Sequence, residues 1–546
     1  MKFPFNHKKL FPSSSSFPSS QPYPNNNTSN NQLEKIPPFA WKVLFILSAI
    51  AALVMYAETM ISIAIPEIIK EFDISYNTSS WILTIYLIVG GIMTPISGKL
   101  SDLYGRKKIL LLIVAAYVLG VIIGGFSTNI YLLLAARVLQ GIGISFFPIA
   151  YSIIKDIFPV RKMAIGQGIV TSMFASGSVL GILLGGPIIQ YYGWNMTYYS
   201  LIPVAVGLLV VVGCLSNKVE RDDTKDIIRK EQQHQTAIPK TIDKSNYKST
   251  IRIGLSMIKS IAISVDIKGA LLLAVSITSF LLLLTAFENE SSSNSNGNIN
   301  SDSKALLLLF LFIVGIISFV LFVFVELRNN YSPLVDLRLL ASKLILVPNV
   351  LSLIVGFWTF IIFYTIPILA KSPPPVGFGI TSVDTSFLLL PFAIVSLIFG
   401  PTSGYIISRL GSTKPILIGT IISSLGFAGL LFFHYTEILS SINLAIISIG
   451  VALTNVGSQN VVMIHTPKQS SGMSLAMTSL LKLIGSAIGP ALAAMYLQNF
   501  QYTLDIDKII YYFPSSESYN LIFASSLVVS VISVVLAMIL KSSTKG

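Results

Sequence analysis

Long apolar runs alternate with short polar connectors along nearly the whole chain. About 20 mostly apolar residues cross the hydrocarbon core of a bilayer as a helix. Fourteen stretches meet that length: Val43–Ile65, Trp81–Ser97, Ile109–Phe126, Ile130–Ile154, Met163–Gln190, Met196–Leu215, Gly269–Phe287, Ala305–Val325, Leu344–Ala370, Ser386–Ile407, Pro415–Phe433, Ile442–Ile464, Met473–Gln498 and Leu521–Leu540. Backbone polar groups find no water in lipid, so each stretch is predicted to be an α-helix.

An even number of crossings puts both ends of the chain on one side. Basic residues say which side, because cytoplasmic loops carry the excess of Lys and Arg. With the N-terminus in the cytoplasm, 31 of the 37 Lys and Arg residues fall in cytoplasmic segments. Four fall in outer loops: Lys70, Lys304, Lys371 and Lys508. The chain is expected to be multi-pass in the cell membrane, with both termini cytoplasmic.

Composition agrees. Charged residues make up 11% of the chain and hydrophobic ones 53%, whereas soluble domains carry about 25% charged residues. The net charge of +13 fits basic cytoplasmic loops better than a nucleic-acid partner. The single cysteine, Cys214, excludes an intrachain disulfide. The four histidines are scattered, and no Cys/His group has metal-ligand spacing. Residues 1–36 are rich in Ser, Pro and Asn, lack the apolar core of a signal peptide, and are expected to be a disordered cytoplasmic tail.

Topology alone does not explain GKLSDLYGRKK, Gly98–Lys108, which packs Lys99, Asp102, Arg106, Lys107 and Lys108 into the connector after the second span. Shifted by 306 residues, Pro95, Gly98, Gly105 and Lys108 fall on Pro401, Gly404, Gly411 and Lys414 in PTSGYIISRLGSTK. Shifted by 304, Gly181 and Gly185 fall on Gly485 and Gly489. Spans 1–6 therefore match spans 9–14, with spans 7 and 8 inserted between them. A parallel repeat of two six-helix bundles is the plan of a transporter that rocks about a midplane site. The predicted fold is an all-α polytopic membrane protein. It has a tail at 1–36, a six-helix bundle at 37–215, a cytoplasmic linker at 216–267, two extra central helices at 268–326, a cytoplasmic connector at 327–343 and a second six-helix bundle at 344–541. The later part of the linker suits a solvated loop or a basic amphipathic helix on the inner leaflet.

Three charges lie well within spans: Glu58, Arg137 and Lys482. A charge at the bilayer centre costs about 2.5–3.5 kcal/mol on insertion scales, so such residues face a cavity, a partner or an aqueous path. A carboxyl group stripped of water, such as Glu58, can take up a proton from one side and release it to the other as access alternates, and can attract a cation while deprotonated. It can equally be a structural acid bonded to a neighbouring helix. Arg137 shares a helix face with Gln140, three residues on, where it can anchor backbone carbonyls. Lys482 is expected to snorkel towards the cytoplasm.

Asp102 and Arg106 are expected to bridge to each other or to neighbouring helices and hold the cytoplasmic side closed, with Gly98 and Gly105 permitting the turn. The small residues of SGSVLGILLGGP, Gly181, Gly185 and Gly186 among them, and their counterparts Gly485 and Gly489, suit close helix packing. Tyr56, Tyr86, Trp358 and Tyr364 would suit lipophilic cations if they line a cavity, and core packing otherwise.

These motifs together resemble the major facilitator superfamily, and more narrowly its fourteen-helix branch of drug:proton antiporters. GKLSDLYGRKK resembles the family's motif after helix 2, through Gly98, Asp102, Gly105, Arg106 and Lys107. LAARVLQGIGIS resembles its helix 4 motif, through Arg137, Gln140, Gly141 and Gly143. DIKGALLL and ELRNNYSPLVDLRLL are similar to the start of the branch's seventh helix and to its connector before helix 9. The resemblance implies a role for Arg137 in proton coupling. Two positions depart from the pattern: Ile182 stands where the helix 5 antiporter motif has a proline, and Ala57 stands where the branch carries a helix 1 aspartate, with Glu58 beside it.

No phosphate-cradling GxxxxGK[ST] loop is present, which disfavours ATP-driven pumping. No nucleophile–base constellation can be assembled, so no enzyme activity, catalytic residue, metal or cofactor is expected. The expected function is secondary active transport, with proton-coupled efflux of small lipophilic or cationic compounds by alternating access. A specific facilitator or symporter is the alternative, and a non-transporting sensor or scaffold the more distant one. The expected partners are a small-molecule substrate, protons and the bilayer, with no nucleic acid, and the protein is expected to act as a monomer.

Overall fold

The computed structural model describes residues 36–159, 163–234, 267–286, 301–328, 337–466, 471–506 and 509–543. The tail, residues 235–266 of the linker, the Ser/Asn run at 287–300 and the middle of the 327–343 connector lie outside the described residues.

Among the described residues, fourteen helices are long and apolar enough to cross a membrane, one for each predicted span. In chain order they are α1 (Pro38–Phe72), α2 (Tyr76–Tyr104), α3 (Arg106–Gly125), α4 (Ile130–Ile144) with α5 (Phe146–Ile157), α6 (Met163–Tyr192) and α7 (Asn195–His234). Two further helices follow, α8 (Ile267–Ala286) and α9 (Ser301–Arg328). A short turn, α10 (Leu337–Leu340), leads to α11 (Lys343–Lys371), α12 (Ser382–Leu410), α13 (Thr413–Phe433), α14 (Glu437–His465), α15 (Ser471–Asn499) and α16 (Ser516–Ser543). The fourth span is broken at Ser145 into α4 and α5. Most helices overrun the apolar runs by several residues, because polar residues at the ends of a span can stay helical in the headgroup region. Helix α7 continues to His234, well into the predicted linker.

The chain runs up and down, so the start of α1 and the end of α16 share one end of the bundle. This is called the near end here, and the opposite one the far end. At the far end, helix starts are capped by short polar side chains. Ser75 Oγ accepts from Thr78 N at 3.1 Å before α2, and Thr381 Oγ1 accepts from Asp384 N at 3.2 Å before α12. Asn129 and Thr436 do the same for α4 and α14, at 2.9 and 3.4 Å. Such caps satisfy amides that the first helical turn leaves without partners. The capping residues pair off between the two halves as the repeat predicts.

The near-end turns pair off too. Gly105 and Gly411 have φ of +94° and +76°, a backbone region that side chains disfavour. Each turns the chain sharply between two membrane helices.

The packing of α6 and α15 refines the repeat. A side chain at Gly177 or Gly181 would strike the carbonyls of Ala52 or Tyr56 on α1, and one at Gly485 or Gly489 those of Leu353 or Phe357 on α11. By contact, Gly177 and Gly181 therefore match Gly485 and Gly489. The register differs by one helical turn from the 304-residue shift, because small residues recur every fourth position along SGSVLGILLGG and several alignments satisfy the pattern.

Between α15 and α16 the chain forms a feature absent from the expectations, a hairpin of β1 (Gln501–Ile506) and β2 (Ile509–Pro514). It is antiparallel, pairing Gln501 with Pro514 and Ile506 with Ile509.

Candidate functional site

Glu58 lies near the middle of α1, Arg137 on α4, and both are buried. Arg137 Nη2 donates to Glu58 Oε2 at 2.6 Å, Nε to the carbonyl of Ile82 on α2 at 2.7 Å, and Nη1 to Gln140 Oε1 at 2.8 Å. The guanidinium also lies 4.4 Å from the ring centroid of Tyr86. One arginine thus ties α1, α2 and α4 together through donors fixed in a plane. The two motif glycines clear the surrounding space. Gly141 lies against the Tyr86 carbonyl and Gly143 against the Tyr117 ring. The second carboxylate oxygen, Glu58 Oε1, is buried without a hydrogen bond. If it were protonated, Arg137 would keep Ile82, Gln140 and Tyr86. The acid can therefore change its charge without leaving the guanidinium bare.

The contacts described for the charged turn at the near end are with its own half. Arg106 Nη1 donates to the Ser152 carbonyl at 2.6 Å and pairs with Asp156 on α5. Gly98 faces Pro148 of α5. Asp102 is one turn before Gly105 on α2, and its side chain lies outside the described residues. Lys107 lies in the first turn of α3.

At the far end several hydrogen bonds run between the halves. Tyr364 on α11 donates to the Tyr76 carbonyl at 2.6 Å and lies 2.8 Å from Ser79 Oγ. Tyr76 N donates to Gln498 on α15 at 3.1 Å, and Val383 N on α12 to Gln190 on α6 at 3.1 Å. Lys371 reaches Glu67 at 2.7 Å. Residues 361–370 of α11 are buried throughout. Among the described residues these contacts join the two halves at the far end. The sequence reading missed Glu67, Gln190, Lys371 and Gln498; their only signal was a position at the polar end of a span.

The four aromatic candidates do not share a cavity. Tyr86 lies under Arg137. Trp358 packs on Phe427 of α13 at 6.0 Å between centroids and is fully buried. Tyr364 belongs to the far-end seal, and Tyr56 reaches towards Ser200 of α7. They are packing and sealing residues here, since a long α11 buried on several sides needs large side chains between helices. Gly185 faces Met60 and Ile63 of α1, whereas Gly186 abuts Ser382 and Ser386 of α12. Gly186 thus serves the contact between halves.

Comparisons with known proteins point the same way. A family model described as the Major Facilitator Superfamily matches residues 47–490 and again 350–545. Similar chains include the uncharacterized MFS-type transporter YhcA of Bacillus subtilis, 25% identical over 475 residues, covering 85% of this chain and 79% of that one. The multidrug efflux pump LfrA of Mycolicibacterium smegmatis is 24% identical over 484 residues, covering 86% and 84%. A solved bacterial homolog of the human lysosomal transporter Spinster, in an inward-facing conformation, superposes with a TM-score of 0.57 at 15% identity, covering 92% of this chain and 97% of that one.

Proposed function

The chain belongs to the Major Facilitator Superfamily of membrane transporters, and on that premise we propose that it exports small lipophilic compounds in exchange for protons. The two halves rock about the seam between them, with the near end in the cytoplasm. The observation that carries the proton step is the free, buried Oε1 of Glu58 beside an arginine held by three other partners. Protonation there weakens the tie between α1 and α4, and deprotonation restores it. A charge crossing about 100 mV yields about 2.3 kcal/mol, enough for more than tenfold accumulation.

The far-end seal supports a conformation closed to the outside. Arg106 and Asp156 hold the cytoplasmic turn to its own half in this state. When the near end closes, the turn carried by Asp102, Arg106 and Lys107 meets the other half. LfrA is an efflux pump by name, which favours export over uptake. The cation-attracting role expected of Glu58 requires an unpaired carboxylate, and here Arg137 occupies it.

The test is transport of lipophilic dyes in proteoliposomes under an imposed pH gradient. Gradient-driven movement in the wild type, and gradient-independent movement in Glu58→Gln, are expected. Equal movement with and without the gradient in the wild type would identify a facilitator instead.

A further inference from the structure

We propose that Lys482 binds an anionic headgroup on the cargo, so that the transported class is a small amphiphile bearing a carboxylate, sulfonate or phosphate. The inference rests on the transport reading and names the cargo for it. Lys482 lies eight residues past Ser474, where the apolar span of α15 begins, which places its backbone about 12 Å along the span at 1.5 Å per residue. A lysine side chain extends only about 6 Å, so snorkelling leaves the ammonium well inside the span.

The helix faces around it are already assigned. Thr478 donates to Asn349 of α11 at 2.8 Å, and Gly485 abuts the Leu353 carbonyl of the same helix. Leu480 and Leu483 face Gly91 of α2. Leu481 and Ile484 pack on the cluster that contains Ala270 and Leu273 of α8. The Lys482 carbonyl and Ser486 lie against Gly356 of α11; at about 100° per residue, the Lys482 side chain falls with Ser479 on the arc between the contacts to α11, in the second half, and those to α2, in the first. Lys482 is partly buried there. Among the described residues no hydrogen bond or ion pair reaches its ammonium; the bond at this residue is Ser486 Oγ to the Lys482 carbonyl, at 2.9 Å.

An unpaired ammonium at this depth is costly to the fold. Among the described residues no acid pairs with this ammonium: of the two buried acids, Glu58 is engaged by Arg137 and Glu326 lies at the end of α9. The counter-charge therefore arrives with the cargo. The hydroxyls of Ser479 and Ser486 donate to the Leu475 and Lys482 carbonyls, at 3.0 and 2.9 Å, and would have to turn from them to reach an anion.

The test uses the purified full-length protein in a neutral maltoside detergent and three matched probes: 1-pyrenebutyrate, 1-pyrenebutanol and 1-pyrenebutylamine. The carboxylate is expected to bind about tenfold or more tighter than the alcohol, the worth of a charge-assisted hydrogen bond away from bulk water. Lys482→Arg is expected to keep the preference, and Lys482→Met to abolish it while melting no lower than the wild type. An unchanged ratio in Lys482→Met, a wild-type preference for the amine, or no measurable carboxylate binding overturns the proposal. In nanodiscs, carboxylate affinity is expected to survive replacement of phosphatidylcholine by phosphatidylglycerol; its loss on that swap assigns the lysine to bilayer lipid and also overturns it. Uptake of the uncharged alcohol into proteoliposomes separately tests transport, so failure of that reading is read apart from the carboxylate-to-alcohol ratio.

Discussion

Glu58 and Arg137 meet at 2.6 Å with side chains 3% and 1% exposed, and their remaining partners are unequal. Arg137 has Ile82, Gln140 and Tyr86, whereas Glu58 has Arg137 alone among the described side chains. Removing the arginine strands a buried carboxylate, a loss of about 3–5 kcal/mol. Removing the acid leaves an arginine without a counter-charge but with its donors still held by Ile82 and Gln140 and its face on Tyr86. Arg137→Ala is therefore expected to melt far lower than Glu58→Gln, as followed by thermal shift in detergent. Equal losses would show that the pair matters only as a pair.

The glycine contacts make a second prediction. A leucine at Gly181 or at Gly489 drives a side chain into the backbone of α1 or α11, and overpacking of this kind costs about 1–3 kcal/mol or more. Both variants are expected to lose folded yield in size-exclusion profiles, with Gly168→Leu, which has open space around it, as the tolerated control. Normal yield from Gly181→Leu would contradict the close approach.

Glu67 and Lys371 bridge the halves at the far end, with side chains 36% and 24% exposed. An exposed pair of this kind is worth at most about 1 kcal/mol, or roughly fivefold in a two-state balance. Lys371→Glu is expected to raise far-end accessibility to a thiol reagent at an introduced cysteine by about that factor, and Glu67→Lys combined with Lys371→Glu to restore it. No recovery in the double variant would sink the latch.

His434 sits between α13 and α14, outside the spans. It is buried, with Nδ1 2.8 Å from the Leu430 carbonyl and its ring stacked on Tyr435 and tilted against Phe523. Burial pushes its imidazole below the usual range, and hydrogen bonding to backbone carbonyls only partly offsets this. Above pH 6.5, the ordinary value, both folded and unfolded forms are neutral and nothing is lost. Below it the unfolded chain takes up the proton first, so stability falls until the folded-state pKa is passed. The melting temperature is expected to drop between pH 7.5 and 5.5, and less steeply in His434→Gln. Parallel curves for the two proteins would remove His434 from the account.

The spans and the charged turn were readable because lipid and water each impose a rule on sequence that acts locally. Gly105 and Gly411 could be matched because a sharp turn at a helix end demands the same residue in both halves. The partnership of Glu58 with Arg137 was not readable: the residues are 79 positions apart, and only the close passage of α1, α2 and α4 brings them together. Trp358 and Tyr364 could be read either as cavity or as packing residues, because an aromatic on a span does not declare which neighbour it faces. The hairpin at 501–514 was hidden by its place in a connector, where two short alternating strands carry little weight beside long apolar helices.

The inserted pair α8 and α9 has one more consequence. Asn77 of α2 donates to the Thr285 carbonyl of α8 at 2.7 Å, and Ala270, Leu273 and Phe322 pack with Ile345, Met477 and Leu480 of the second half. The added helices therefore wall off the flank where α2 meets α15. The opposite flank, where Leu183 and Pro187 of α6 meet Phe387 and Leu390 of α12, has no such cladding among the described residues. The chain's two flanks are therefore unequal: the inserted pair clads one, and the other is closed by the direct meeting of α6 and α12.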